Sequence, residues 1–162
     1  MRRVRMAFVG AALAGIAVVL TPLAAQAAPT APVPAPGADR SVLAPDGRVY
    51  AWEHPHGGGA VCWWTGNDGN WITCDPGGNL KNLASDLWNN GTPQAVDKVL
   101  FFWGQQQTGA WACLGRGDSW PDLTTGWYTF SWGSWGTPGK GDSIENNIAS
   151  HRWSSTCDLP QG

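Results

Sequence analysis

Tyr50-Ala51-Trp52-Glu53-His54-Pro55-His56-Gly57-Gly58-Gly59-Ala60-Val61-Cys62 lies over Phe101-Phe102-Trp103-Gly104-Gln105-Gln106-Gln107-Thr108-Gly109-Ala110-Trp111-Ala112-Cys113 without a gap. In both stretches a Trp is followed six residues later by a Gly and ten residues later by a Cys, at a constant spacing of 51 residues (Trp52 to Trp103). A spacing kept at three chemically distinct positions points to an internal duplication. The glycines that follow the Trp, Gly58 and Gly109, are expected to take the positive φ that lets a hairpin fold over onto its sheet. One such unit leaves an apolar face exposed, and two units packed together bury it.

Working outward, the chain reads as β. Val49 to Trp52, Ala60 to Trp64, Trp71 to Cys74, Val99 to Trp103, Ala110 to Leu114 and Gly126 to Trp132 are short runs rich in Val, Ile and aromatics. Gly, Asn, Asp and Pro clusters such as Gly66-Asn67-Asp68-Gly69-Asn70 and Asp75-Pro76-Gly77-Gly78 bound them. Regular strand and turn spacing of this kind signals a sandwich or barrel. Only Leu80 to Asn89 has helical spacing, with Leu80, Leu83 and Leu87 on one face, which predicts a turn or two inside a connection.

The flanks set the compartment. Met1-Arg2-Arg3-Val4-Arg5 is basic, Met6 to Leu20 is apolar, and Ala25-Gln26-Ala27 has the small-x-small form of a secretory cleavage site. Residues 1–27 are therefore expected to be a signal peptide, its apolar run being short for the roughly twenty residues that a membrane-spanning helix needs. Residues 28–40 are mostly Ala and Pro and predict a flexible tail. Residues 41–162 form the expected domain, with repeats at about 47–99 and 100–153. Losing the three Arg of the leader takes the formal charge from −2 to −5, and the remaining basic residues are scattered singly. No stripe of them could neutralise a run of phosphates, so nucleic acid is an unexpected partner. A secreted monomer without a membrane anchor after cleavage is the expectation.

Cys62, Cys74, Cys113 and Cys157 would meet an oxidising exterior, which predicts two disulfides. Four cysteines allow three pairings. Treating Cys62 and Cys113 as repeat equivalents gives each a partner in its own half, Cys74 and Cys157. Zinc is disfavoured, since no Cys-x-x-Cys pair is present.

Tyr50-Ala-Trp-Glu-His-Pro-His-Gly-Gly resembles the opening segment of bacterial secreted βγ-crystallin-like proteins, a group that includes a microbial peptidase-inhibitor family. Asn79-Leu80-Lys81-Asn82-Leu83 resembles that family's step before a later strand, and Ser143 to Trp153 resembles its closing segment. The resemblance implies an all-β sandwich of two Greek-key motifs. In calcium-binding members the closing motif carries two Asn or Asp residues and, after two spacers, a pair of hydroxyl residues, which supply oxygen ligands. Here Glu145-Asn146-Asn147-Ile148-Ala149-Ser150 lacks one hydroxyl, and reading the first copy at Val96 to Phe101 finds both missing. Asn146 and Ser150 are the remnants, weak or absent calcium binding is expected, and no cofactor is implied. A role for these two side chains in satisfying turn backbone is the favoured reading.

Twelve Trp exceed what so small a core needs. Trp63, Trp64, Trp71, Trp132 and Trp135 are the contact candidates, with Trp120 and Trp127 also near loops. Indoles suit either a protein surface or a sugar ring. Two loops carry most of them: Cys62 to Cys74, closed by the first disulfide, and the Gly-rich Ser131 to Asp142.

Catalytic signatures are weak. There is no Gly-x-Ser-x-Gly elbow, no thiol expected to stay free, and only Glu53 and Glu145 among glutamates. His54 and His56 fit turn packing better than metal ligation beside Glu53. The reading is a non-enzymatic secreted inhibitor of an extracellular peptidase, with a cell-wall or carbohydrate-binding, killer-toxin-like module as the alternative.

Overall fold

Among the described residues, seven strands make two antiparallel sheets. They are β1 (Arg48–His54), β2 (Gly58–Trp64), β3 (Asp86–Asn90), β4 (Lys98–Phe102), β5 (Trp111–Leu114), β6 (Ser119–Trp120) and β7 (Ser150–Ser154). The computed structural model describes residues 33–159, so the expected signal peptide lies outside the described residues. The first sheet has the order β2-β1-β3-β6 and the second β5-β4-β7. Each repeat forms a hairpin, crosses to the other sheet, and returns beside its own first strand, which is a Greek-key path. The crossing is reciprocal. The β6 strand of the second repeat pairs with β3 of the first, Leu87 opposite Trp120 and Trp88 opposite Ser119. In turn Asp68 of the first repeat bridges His151 in β7, and Trp71 N–H donates to Ala149 O at 3.1 Å.

Side-chain alternation explains the pairing. Val49, Ala51 and Leu87 of one sheet meet Val99, Phe101 and Leu114 of the other in a fully buried core that also holds Leu80, Leu123, Phe130, Ile144 and Ile148. Trp64 stacks on Trp71 at 4.5 Å between ring centroids, and the Trp71 indole donates to Nδ1 of buried His151 at 2.8 Å. His151 Nε2 lies 2.8 Å from Gly66 O, so with Nδ1 accepting, the proton is on Nε2. One imidazole thereby ties the first repeat's crossing segment to the second repeat's last strand.

The two halves form matching hairpins, but in a register that differs from the sequence overlay. Val49 faces Trp64 across β1 and β2, and Val99 faces Leu114 across β4 and β5. The structural spacing is therefore 50 residues (Val49 to Val99), so Phe102, not Trp103, matches Trp52, and Ala112, not Cys113, matches Cys62. A one-residue slip turns every side chain to the opposite face. Cys62 accordingly sits in the core, whereas Cys113 packs on the outer side of its sheet. The hairpin backbones confirm the register: His56, Gly57 and Gly59 have φ of 56°, 79° and 72°, matched by Gln106, Gln107 and Gly109 at 54°, 56° and 78°. Gly58, expected at positive φ, is extended at −85°. Gly59 takes that role, where a Cβ would lie 2.9 Å from Cβ of Glu53.

Both disulfides join the expected partners, Cys62 with Cys74 and Cys113 with Cys157, each at a Cα separation of 5.5 Å. The pairing holds although the two hairpin cysteines are not structural equivalents. The helical reading of Leu80 to Asn89 is corrected: Asp86–Asn90 is the central strand β3. Asp and Asn are poor strand formers, yet here their side chains bond the backbone, Asn89 donating to Asp97 O at 3.0 Å and to Leu114 O at 3.1 Å.

The tail expectation is corrected for residues 33–40. Tyr50, Trp52 and Trp88 form a second apolar layer on the outer face of the first sheet, and Val33 packs against it. Gly37 N–H donates to His56 O at 2.9 Å, and the Arg40 guanidinium lies 4.3 Å from the Trp52 ring centroid while gripping both oxygens of buried Asp86. Composition undervalued the segment because its stability comes from the aromatic face it covers. On the second sheet, Leu159 near the other terminus similarly packs against Leu100, Phe102 and Trp111.

Asp86 has a counterpart in Ser150, the first residue of β7. Ser150 Oγ donates to Gly104 O at 2.6 Å and accepts from Gln107 N–H at 3.1 Å. Asp86 Oδ2 accepts from Gly57 N–H at 2.7 Å, anchoring the other folded hairpin in the same way. The first copy of the closing motif thus lies at residues 81–86, not 96–101. There Asn82 takes a φ of 56°, as Asn146 does at 57°.

Candidate functional site

The connection from Gly126 to Asp142 carries the most exposed apolar surface on the described chain. Phe130 is buried and pins its base, while Trp127 is 86% exposed, Trp132 36% and Trp135 100%. Backbone bonds brace both arms. Phe130 N–H donates to Asp142 O at 3.0 Å, Gly141 N–H to Phe130 O at 3.1 Å, and Ile144 N–H to Tyr128 O at 3.0 Å. Trp132 and Trp111 exchange bonds of 2.9 and 3.2 Å, and Ala110 N–H donates to Pro138 O at 2.8 Å. Two turns close the tip, Thr137 N–H to Ser134 O at 3.1 Å and Lys140 N–H to Thr137 O at 3.0 Å, and Lys140 Nζ donates to Ser131 O. A loop restrained at so many points loses little freedom on docking.

Trp127 and Trp132 line one shallow cleft of about 150 Å³ together with Trp120, Tyr128 and Ile144. Trp120 and Tyr128 pack at 5.1 Å, so the cleft has aromatic sides. Trp135 stands apart at the tip, beside Lys140. The arrangement offers one projecting knob and one aromatic slot.

Of the five contact candidates, the structure leaves Trp132 and Trp135 on the surface. Trp64 and Trp71 are corrected, because both are buried in the inter-sheet core and Trp71 spends its indole N–H on His151. Trp63 is half-buried under the Arg48 guanidinium, 4.0 Å from its ring centroid, and packs on the outer aromatic layer. The Cys62 to Cys74 loop is likewise structural, since its middle runs beside β7. Trp127 and Trp103 are the surface indoles that the contact candidates omitted. Nothing in their flanking sequence separates them from core tryptophans.

Of the calcium remnants, the Ser150 hydroxyl is committed to hairpin backbone as described, while Asn146 takes part through its main chain, its backbone N–H donating to Ala84 O at 3.2 Å. Next to them Glu145 accepts from Ser85 Oγ at 2.8 Å and keeps its second oxygen buried without a partner. Burial pushes the Glu145 carboxyl above its usual range, against the Ser85 bond. The matching position in the first copy is Lys81. One carboxylate and one hydroxyl, with an ammonium at the equivalent position, are a poor match to a cation that takes six to eight oxygens. Among the described residues no group of three or more His, Cys, Asp or Glu side chains is placed to hold a metal, and no helix is long and apolar enough to cross a membrane.

Solved βγ-crystallin domains are similar to this chain. One, from work on the evolution of the eye-lens fold, aligns at 17% identity and a TM-score of 0.47 over 68% of this chain and 87% of that one. An archaeal βγ-crystallin aligns at 17% identity and 0.43, over 65% and 95%. Spherulin 3a of Physarum polycephalum aligns at 17% identity and 0.42, over 72% and 91%. No protein-family profile and no curated protein matches the sequence. The fold itself, two Greek-key motifs in an all-β, βγ-crystallin-like sandwich, rests on the sheet order and the exchanged strands.

Proposed function

We propose that the protein is a secreted, non-catalytic inhibitor of an extracellular peptidase that docks through the braced loop carrying Trp135. The observation that carries this reading is a wholly exposed indole at the tip of a loop fastened to the core at both ends. A projecting Trp fits a concave partner such as a peptidase cleft, and buried interface Trp residues are among the commonest energetic anchors. Two disulfides and a basic-apolar leader support an extracellular setting. The family resemblance supports the inhibitor class. The test is a panel of secreted metallo- and serine peptidases incubated with the purified protein. Inhibition of at least one, weakened roughly 30-fold or more by Trp135→Ala, supports the reading. No inhibition across the panel, or equal inhibition by the variant, overturns it.

A second reading has its own observation, the aromatic slot between Trp127 and Trp132. Indole faces flanking a shallow cleft suit a pyranose ring, which supports a cell-wall glycan-binding module. Pull-down on chitin, glucan and peptidoglycan tests it, with Trp127→Ala and Trp132→Ala expected to lose retention that Trp135→Ala keeps.

A further inference from the structure

A separate cleft of about 410 Å³ opens between the folded hairpin of the second repeat and the turns at Lys81-Asn82 and Asn147. Its volume lies in the roughly 300–1,000 Å³ range of small-molecule sites. We infer that it is a binding subsite for a carboxylated pyranose, a uronic acid residue of an extracellular polysaccharide.

Three features point to that chemistry. The first is an oriented platform. Trp103 lines the cleft, is 39% exposed and packs against Gly139, where a Cβ would fall 2.2 Å from the indole Cγ. No side chain fits at residue 139, so glycine backbone braces an indole that stays partly exposed for stacking. The second is an uncompensated charge. Lys81 is the sole ionisable side chain lining the cleft, and its ammonium has no hydrogen bond or ion pair among the described residues. Its backbone N–H is fixed by Trp71 O at 3.1 Å and Asn79 Oδ1 at 3.0 Å, which positions the residue.

The third is a mixed set of donors and acceptors. Asn147 spends its amide N–H groups on Ser143 O at 3.0 Å and Glu145 O at 3.2 Å, which leaves its Oδ1 to accept. Gln105 donates to Asn70 Oδ1 at 3.0 Å and keeps its Oε1. Asn82, held in a left-handed backbone by its bond to Ile148 O at 2.8 Å, presents an uncommitted amide. Oriented carbonyl oxygens accept from sugar hydroxyls, donors that a bare sulfate lacks. One ammonium matches one carboxylate. The Trp135 loop lends Gly139 as backing for Trp103, but the Trp135 side chain does not line the cleft, so the two readings can be tested apart.

The test is a titration of the purified protein with tetragalacturonate, and with maltotetraose as the neutral control, followed through the indole N–H resonances in two-dimensional NMR. Trp103→Phe assigns the resonance, and a circular dichroism spectrum checks each variant. Saturable shifts of the Trp103 indole are expected with the uronate. Lys81→Gln, on a turn that keeps both backbone bonds, is expected to weaken binding about five-fold or more, and the neutral sugar to bind at least as weakly as that. Trp135→Ala should titrate like the wild type. No saturable shift by 10 mM uronate, an unchanged Lys81→Gln titration, equal binding of the neutral sugar, or shifts centred on Trp127 and Trp132 would each overturn the inference.

Discussion

Replacing Arg40 by Met tests how residues 33–40 are fastened. The Arg40 guanidinium sits on Trp52 and grips a carboxylate with a fully buried side chain, so its loss leaves the Asp86 charge held by the Gly57 N–H alone. Breaking a buried pair by removing one partner costs about 3–5 kcal/mol, and the cation-π contact adds about 1 kcal/mol that the Met thioether partly replaces. Against a typical total of about 5–15 kcal/mol, this is a large share. Urea unfolding followed by both near- and far-UV circular dichroism reads it directly. Burial already pushes the Asp86 carboxyl up, opposed by Arg40 and the Gly57 N–H. Removing Arg40 pushes it further, so protonation at lower pH relieves the penalty, and the gap between variant and wild type should shrink from pH 7 to pH 5. The Ser150 counterpart supplies a rescue: Arg40→Met with Asp86→Ser restores a neutral acceptor for Gly57 N–H and should recover most of the loss. A single variant within about 1 kcal/mol of wild type, or a double variant no better than the single, would refute the reasoning.

Other outcomes follow from the same contacts. Burial drives His151 down to about 4 from its ordinary 6.5, so the unfolded chain binds its proton first as pH falls. Stability should be complete above pH 6.5 and fall by about 3 kcal/mol towards pH 4, and a His151→Gln variant should be less stable at neutral pH but flatter across that window. The disulfide variants should rank by loop length: the pair Cys113 and Cys157, 44 residues apart, costs about 4 kcal/mol when changed to Ala, and the pair Cys62 and Cys74, 12 apart, about 3 kcal/mol before any cavity at buried Cys62. Urea midpoints check the order after correction for that cavity. Millimolar calcium should leave the melting temperature within about 2 °C, and a rise of many degrees would show a working site.

Much of the architecture was legible because it follows from alternation and turns. The hairpins at Tyr50 and Phe101 and the all-β class could be read from residue type and spacing, whereas both cystine pairs came out as expected from an equivalence of Cys62 and Cys113 that the fold does not keep. The repeat register could not, because the overlay of Trp52 on Trp103 matched identities, whereas the fold matches inward and outward faces, and those place Phe102 under Trp52's role. Strand β3 was hidden by Asp86, Asn89 and Asn90, whose polar groups serve the backbone of other segments. The same loss of long-range information affected the tryptophans. Trp71 and Trp135 both sit in Gly- and Asn- or Ser-rich surroundings, yet one is sealed by a histidine 80 residues away and the other is fully exposed at a loop tip.

Oxidation of the folded protein by limiting N-bromosuccinimide, read residue by residue by peptide mass spectrometry, tests most directly the division of the indoles into a sealed core and a presented surface. Trp135 and Trp127 should react first and Trp103 and Trp132 next, with Trp52, Trp71 and Trp88 untouched until the protein unfolds. Modification of Trp71 or Trp52 as fast as Trp135 would contradict the account.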